Sequence, residues 1–159
     1  MGYSPRSVGP CGDRSVANLP APRFRRELLA ELRKRAGLTR TELARRVGVA
    51  SGERIGSWER GIDQPSAPYL PRLAQALGIE PIELLDVDVK APTFTALRYV
   101  AGLTLEALAR AVGVRYGVMQ RIDRGVVEPR DDLAKRLAAA LDVGPAQVVA
   151  AHRRQAGNP

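Results

Sequence analysis

The chain has 159 residues, a formal net charge of +8 and an aromatic content of only 4%. This length accommodates one ordinary domain or two small ones, and so few aromatic residues argue against a large ring-lined cavity. The positive charge is typical of proteins that bind nucleic acid or another polyanion. Arginine outnumbers lysine 22 to 3, which suits bidentate contacts with phosphate and guanine, although codon bias in a GC-rich genome produces the same excess.

Several classes of protein are excluded by what the sequence lacks. A single cysteine, Cys11, rules out an internal disulfide framework and is typical of a reducing compartment. No apolar run approaches the roughly 18 residues of a membrane span, and no apolar signal-peptide core follows Met1. The sequence also offers no metal-ligand cluster, glycine-rich phosphate loop or nucleophile paired with a base. We therefore predict a cytoplasmic protein that is not an enzyme, uses no cofactor and has no membrane partner.

The start of the chain is rich in glycine and proline and has almost no apolar residues in register. Residues 1–22 are therefore predicted to form a disordered arm. This arm is either passive or in contact with DNA phosphates through arginines such as Arg6 and Arg14. A first helix is predicted over 23–36, where apolar residues recur on one face.

The next stretch carries the strongest local signals. Thr39 is a favourable N-cap, and Glu42 three residues later completes a capping box, so a helix is predicted to start there. Gly48 ends this helix, because the position after a helix often requires a left-handed backbone. A second short amphipathic run follows, in which Ile55 and Trp58 face inward. Two short helices joined by a tight turn make a helix-turn-helix unit.

Two more helices are predicted after this unit. A fourth helix is expected near 69–77, with Pro68 and Pro71 tolerated only at its very start. A short fifth helix opens at Pro81. No stretch shows the alternation of a strand, so the fold class is all-α.

The same pattern then returns. Identical residues recur 65 positions later as far as Val49 and 64 positions later from Arg60 onward, so the chain is a tandem duplication with one extra residue in the first copy. The recurring pairs include Ala36 and Ala101, Leu38 and Leu103, Thr39 and Thr104, Leu43 and Leu108, Ala44 and Ala109, Gly48 and Gly113, Arg60 and Arg124, and Gly61 and Gly125. The second copy is predicted to contain helices over 93–101, a pair within 105–124, one over 131–141 and one from Pro145.

The duplication predicts two small domains. The first repeat covers residues 23–86, residues 87–92 form the linker, and the second repeat covers residues 93–152. Residues 153–159 are predicted to fray as a C-terminal tail. Domains of this size are marginal alone, so packing between the two is expected.

Both repeats resemble the Cro and phage-repressor helix-turn-helix family, also called the XRE family. The resemblance rests on Gly-Leu-Thr at 37–39, Glu-Leu-Ala-Arg-Arg-Val-Gly-Val at 42–49 and Trp-Glu-Arg-Gly at 58–61, and it extends over 24–86 and 93–151. It implies two five-helix lambda-repressor-like domains in tandem, from a GC-rich bacterium or its phage or plasmid. It also implies double-stranded DNA as the ligand, and transcriptional regulation in the form of repression as the role.

In this family the third helix lies in the major groove while the second crosses the backbone. The DNA-binding residues implied for the first repeat are Arg40, Ser51, Glu53, Arg54, Ser57 and Arg60. Arg54 is expected to read guanine through a bidentate contact. Arg40 stands where family members commonly hold a phosphate-binding Gln, and it carries a full charge for that contact. Glu53 either accepts a hydrogen bond from cytosine or repels phosphate.

The second repeat departs from the family pattern. Its implied DNA-binding residues are Arg115, Tyr116, Val118, Gln120, Arg121 and Arg124. Arg121 is expected to read guanine, and Tyr116 and Val118 to touch thymine methyl groups. However, Leu105 replaces a polar residue at an exposed helix start, and Gly117 leaves one base-contact position bare.

The predicted function is therefore a sequence-specific DNA-binding regulator that reads DNA with the third helix of each domain. The alternative is a protein-interaction module, antitoxin-like, in which the second domain or both bind a partner protein. The sequence leaves open whether the chain also forms a homodimer. It equally leaves open whether the operator is palindromic or a direct repeat.

Overall fold

The computed structural model describes residues 21–157, and in these residues the chain is all-helical. Apart from a single antiparallel bridge between Phe24 and Leu85, the described residues contain no β structure. The elements are α1 (Arg26–Arg35), α2 (Arg40–Val47), α3 (Gly52–Arg60), α4 (Tyr69–Leu77), a 3₁₀ helix (Pro81–Leu84), α5 (Phe94–Val100), α6 (Leu105–Ala111), α7 (Tyr116–Asp123), α8 (Asp131–Leu141) and α9 (Pro145–Gln155). The predicted disordered arm lies outside the described residues except for its last two positions.

The strongest local predictions are confirmed at α2. The Thr39 hydroxyl accepts a hydrogen bond from the Glu42 backbone N–H at 3.2 Å, and the Glu42 carboxylate accepts one from the Thr39 N–H at 2.7 Å. Gly48 ends the helix in the left-handed region, with φ +78°. Both ends of α2 are therefore set by residues within or beside the helix itself.

The prolines of α4 also lie where the sequence requires them. Pro68 is the N-cap residue of α4, and Pro71 is its third residue. The first turn of a helix needs no backbone N–H donors, so neither proline removes an intrahelical bond.

The short fifth helix of the first repeat begins at Pro81, as predicted, but it is of the 3₁₀ type. It has four residues, and Leu85 after it is already extended. The backbone around it is bound to the start of α1, because the Arg25 N–H donates to the Leu84 carbonyl and the Asp86 N–H to the Arg23 carbonyl, each at 2.8 Å. These bonds use the Leu84 carbonyl and the Asp86 N–H, which a longer helix would need for its own hydrogen bonds.

The end of the chain also differs from the prediction, since α9 continues through Gln155 rather than fraying at Arg153. Two side chains hold this end. Arg153 forms an ion pair with Glu128 at 3.2 Å, and Arg154 donates to the Pro92 carbonyl at 3.0 Å. His152, expected beside a fraying end, is buried.

The apolar side chains form two hydrophobic cores. The first core includes Leu29, Leu43, Ile55, Trp58, Leu70 and Leu73, and the second includes Phe94, Leu108, Met119, Ile122, Leu137 and Val148. Helix α5 contributes to both, because Ala96 packs into the first core while Phe94 packs into the second. At 11 residues, the longest helices in the described part of the chain are too short to cross a bilayer.

Candidate nucleic-acid interface

The polar residues predicted for the first repeat lie along the outer side of α2 and α3. Ser51 is the N-cap residue of α3, and Glu53, Arg54 and Arg60 are exposed along the helix, while Ser57 is half-buried. Arg40 is the first residue of α2. Ile55 and Trp58, on the opposite side, are fully buried, so α3 is fixed to the core by one face and presents the other.

Each predicted arginine of this face is paired with a carboxylate. Arg40 lies 2.8 Å from Glu59, Arg54 3.3 Å from Asp63, and Arg60 3.5 Å from Glu53, measured between side-chain nitrogen and oxygen. The Arg54 and Arg60 pairs are exposed on both sides, and such pairs contribute at most about 1 kcal/mol. Phosphate or base edges can therefore replace them at little cost.

The carboxylates of this face are occupied by arginines and do not gather as a metal site. Among the residues that the structure describes, no group of three or more His, Cys, Asp or Glu side chains is arranged to hold a metal ion. The chemistry that this face offers is therefore guanidinium groups and hydroxyls, which suit phosphate and base edges.

Glu59 is the buried member of this set. Arg33 of α1 approaches it with two nitrogens, Nε at 2.5 Å and Nη2 at 3.2 Å, and donates its remaining Nη1 to the Leu38 carbonyl at 2.8 Å. Burial alone would raise the pKa of Glu59, but the hydrogen bonds from Arg33 and Arg40 outweigh it, and the pKa lies below its ordinary value. Glu59 is therefore ionised at neutral pH and joins α1, α2 and α3.

The second repeat contains the same ion pair at the matching positions. Arg98 of α5 approaches Asp123 with Nε at 2.9 Å and Nη2 at 3.2 Å, and donates to the Leu103 carbonyl at 3.0 Å. Neither arginine of these two pairs was predicted from the sequence. A signal for them was present, since Arg33 and Arg98 are separated by the same 65 positions as the rest of the repeat.

The predicted residues of the second repeat are arranged differently. Arg115, Tyr116 and Arg121 are exposed, and neither of these two arginines forms an ion pair with another described residue. Gln120 and Arg124 are half-buried. Val118, predicted to touch thymine, is half-buried and packs against the second core. The interface predicted here is thus more apolar than that of the first repeat, and Arg115 and Arg121 are not neutralised by a described carboxylate.

Leu105 corrects one expectation. It was predicted to lie exposed at a helix start, but it is half-buried and packs against the second core. Together with Tyr116 it also lines a groove of about 410 Å³ that runs between the two repeats. The other wall includes Ser66 and Ala67, from the loop before α4. The starts of α6 and α7 therefore face part of the first repeat.

The repeats contact each other directly beside this groove. A Cβ atom added at Gly102, in the turn between α5 and α6, would lie 2.9 Å from the Pro71 side chain. This approach is closer than van der Waals contact allows, so the turn and the start of α4 are packed tightly together.

Known protein families and proteins include sequences similar to part of this chain. A family described as a helix-turn-helix domain matches residues 26–86, which extend from α1 to just beyond the 3₁₀ helix. A protein of Methanothermobacter thermautotrophicus described as an uncharacterized HTH-type transcriptional regulator is 47% identical over 66 residues. The matched segment makes up 40% of this chain and 94% of that protein.

Proposed function

The chain belongs to the helix-turn-helix family of transcriptional regulators, and on this premise we propose that it binds double-stranded DNA sequence-specifically to regulate transcription. Each repeat acts as a lambda-repressor-like five-helix domain of the Cro and phage-repressor type. Helices α3 and α7 enter the major groove, and bound protein blocks the polymerase. The role of a repressor follows from this occupancy.

The observation that carries the proposal is the exposed face of α3. Its core side is fixed by Ile55 and Trp58, whereas Ser51, Arg54 and Arg60 project from the side that a DNA groove could receive. An arginine on such a helix makes two parallel hydrogen bonds to guanine, each pair discriminating by about 1–3 kcal/mol. The net charge of +8 adds attraction to the DNA backbone.

The test is selection from a random duplex library at physiological ionic strength, about 0.15 M. Wild type, Arg54→Ala and Arg121→Ala are compared, with Arg35→Ala as the matched control. Arg35 is also an exposed arginine paired with a carboxylate, Glu31 within α1, so its loss removes the same charge away from the two reading helices.

We expect the wild type to select two half-sites, and each of the two variants to lose preference at one position of its own half-site. Arg35→Ala should select the wild-type motif. Binding that shows no motif and only weakens with salt would mean generic phosphate attraction, and the regulator proposal would then be wrong.

The groove between the repeats favours a second candidate function. Leu105 and Tyr116 lie at the starts of α6 and α7, the helices that correspond to α2 and α3. There they face Ser66 and Ala67 of the first repeat. In this alternative the first repeat reads DNA while the second binds a partner protein through apolar contacts. A motif with one half-site, altered by Arg54→Ala and unaffected by Arg121→Ala, would support it over the tandem reader.

A further inference from the structure

Three positions, one at the start of α2 and two within α3, change together between the repeats. In the first repeat they are Arg40, Gly56 and Glu59, and the Arg40 Nε donates to the Glu59 carboxylate at 2.8 Å. In the second repeat the matching residues are Leu105, Gln120 and Asp123. The first repeat, which has an arginine where the second has a leucine, therefore also has the longer acid and a glycine in place of glutamine.

Gly56 provides space for this arginine. A Cβ atom added there would lie 3.5 Å from both Cδ and Nε of Arg40, and 2.9 Å from Nη1 of Arg60. Glycine is unfavourable in a helix interior, yet it occupies the middle of α3. The Arg40 side chain therefore passes Gly56 at a distance where a Cβ atom would just touch it, while a longer side chain at this position would meet both Arg40 and Arg60.

The charges around Glu59 do not cancel. Its side chain is only 4% exposed and accepts hydrogen bonds from Arg33 and Arg40. Arg33 is nearly as buried and balances the carboxylate, whereas the Arg40 side chain is 43% exposed. The group of three therefore has one net positive charge, and that charge lies at the surface. In the second repeat Asp123 and Arg98 balance each other, and Leu105 adds no charge.

We infer that Glu59 is a positioning residue that holds Arg40 across Gly56 as a fixed cation for one phosphate of the DNA backbone. An exposed arginine normally loses rotamer freedom when it binds, and a side chain already held in place loses less. The buried carboxylate supplies this restraint without neutralising the cation, because Arg33 has already balanced it. This inference rests on the proposed DNA binding, and it adds that the buried Glu59 positions Arg40 for the phosphate contact.

The experiment measures how binding to a random-sequence duplex depends on salt. The full chain is used as wild type, Arg40→Leu, Glu59→Asp and the double variant, with Trp58 fluorescence to verify folding. Each lost phosphate contact should reduce the slope of log K against log salt by about 0.9. Glu59→Asp introduces the acid that the second repeat has at this position. There, Asp123 pairs with Arg98, and Leu105 stands in place of a second arginine.

We expect Arg40→Leu to reduce the slope by about 0.9. Glu59→Asp keeps the cation but releases it, so it should weaken binding at a fixed salt concentration by roughly 2- to 10-fold, the cost of ordering one side chain, with a smaller change of slope. The double variant should bind no more weakly than Arg40→Leu. Such non-additivity is the signature of two residues that act as one unit. Asp123→Glu, the reverse change in the second repeat, should leave the slope unchanged, since Leu105 offers no cation to position.

Gly56→Gln tests the same inference without changing Glu59. Its side chain would extend into the space beside Arg40, so binding at a fixed salt concentration should again weaken while the helix itself gains propensity. The inference is wrong if Arg40→Leu weakens binding but Glu59→Asp and Gly56→Gln do not, or if the effects of Arg40→Leu and Glu59→Asp on the binding constant add. If the folded wild type binds no duplex, the proposed function itself is wrong, which is a different outcome from either of these.

Discussion

The two repeats share a buried frame and differ at the surface it supports. In both repeats, an arginine of the first helix donates hydrogen bonds to an acid near the end of the third helix. The same arginine also donates to a backbone carbonyl between the first and second helices. Outside this frame, the first repeat has paired arginines along α2 and α3, whereas the second presents Tyr116 and partly packs Leu105 and Val118. The frame maintains the helix pair, and the exposed side is free to acquire another partner.

The difference has a simple physical origin. A buried charge must be balanced wherever the fold is retained, so the arginine and the acid have to persist together. An exposed residue changes stability by little when it is replaced. The surface of each repeat can therefore diverge freely, whereas the buried arginine and acid must stay balanced in charge.

The largest expected effect comes from removing the buried arginine of each repeat. Arg98→Leu leaves Asp123 without a cation, and breaking such a pair should lower the free energy of unfolding by about 3–5 kcal/mol. After Arg33→Leu, Glu59 still has Arg40 at 2.8 Å, so the loss should be nearer about 2 kcal/mol. Urea unfolding followed by circular dichroism measures both.

The control for this prediction is Arg35→Leu, which removes an exposed pair with Glu31 and should cost less than about 1 kcal/mol. If Arg33→Leu destabilises the protein as much as Arg98→Leu, then Arg40 does not balance Glu59 and the two buried pairs are equivalent.

A smaller effect is expected from rebuilding the first arrangement in the second repeat. The triple variant Leu105→Arg, Gln120→Gly and Asp123→Glu reproduces the Arg40, Gly56 and Glu59 set. If both repeats lie on DNA, it should gain one phosphate contact and steepen the salt slope by about 0.9. Leu105→Arg alone, without the space and the longer acid, should gain less. An unchanged slope would indicate that the second repeat faces away from DNA.

The smallest expected effect is a difference between the two repeats in how their stability depends on pH. Burial lowers the pKa of His152 below its ordinary 6.5, the nearby Glu128 carboxylate opposing that shift and Arg153 adding to it. The unfolded chain then binds the proton more readily, so stability should fall as pH decreases below 6.5. In the first repeat, Glu59 has a pKa lowered from 4.5, so its contribution should be lost only in more acidic solution.

The single tryptophan makes this difference measurable. Trp58 lies in the first core and reports on the first repeat, while circular dichroism reports on both. Between about pH 7 and about pH 5, the ellipticity transition should shift to lower temperature before the fluorescence transition does. His152→Phe should remove the difference, because the ring remains beside Phe94 but no longer titrates. Identical shifts in the variant and the wild type would exclude His152 as the cause.

Much of the helical framework could be predicted because its signals are local. The start of α2 at Thr39, its end at Gly48 and the limits of α4 follow from a cap, glycines and prolines within a turn of each boundary. The inward positions of Ile55 and Trp58 follow from helical spacing. The repeat in the sequence also indicated which residues correspond.

The failures occur where distant parts of the chain meet. The short helix at Pro81 is limited to one 3₁₀ turn because the backbone around it is bonded to Arg23 and Arg25 at the other end of the repeat. His152 is buried because α9 packs beside Phe94, and Leu105 is half-buried because its helix starts against the second core. None of these contacts has a signal within a helical turn.

The sequence by itself determined the order of the helices, their caps, the duplication and the set of arginines available to a polyanion, because these depend on residues close in the chain or on identity between the copies. The tertiary structure alone decided which acid each arginine meets. Glu59 joins Arg33 and Arg40 from 26 and 19 positions away, and only three packed helices bring those charges together. Whether an arginine is a balanced structural charge or an available surface cation depends on that packing.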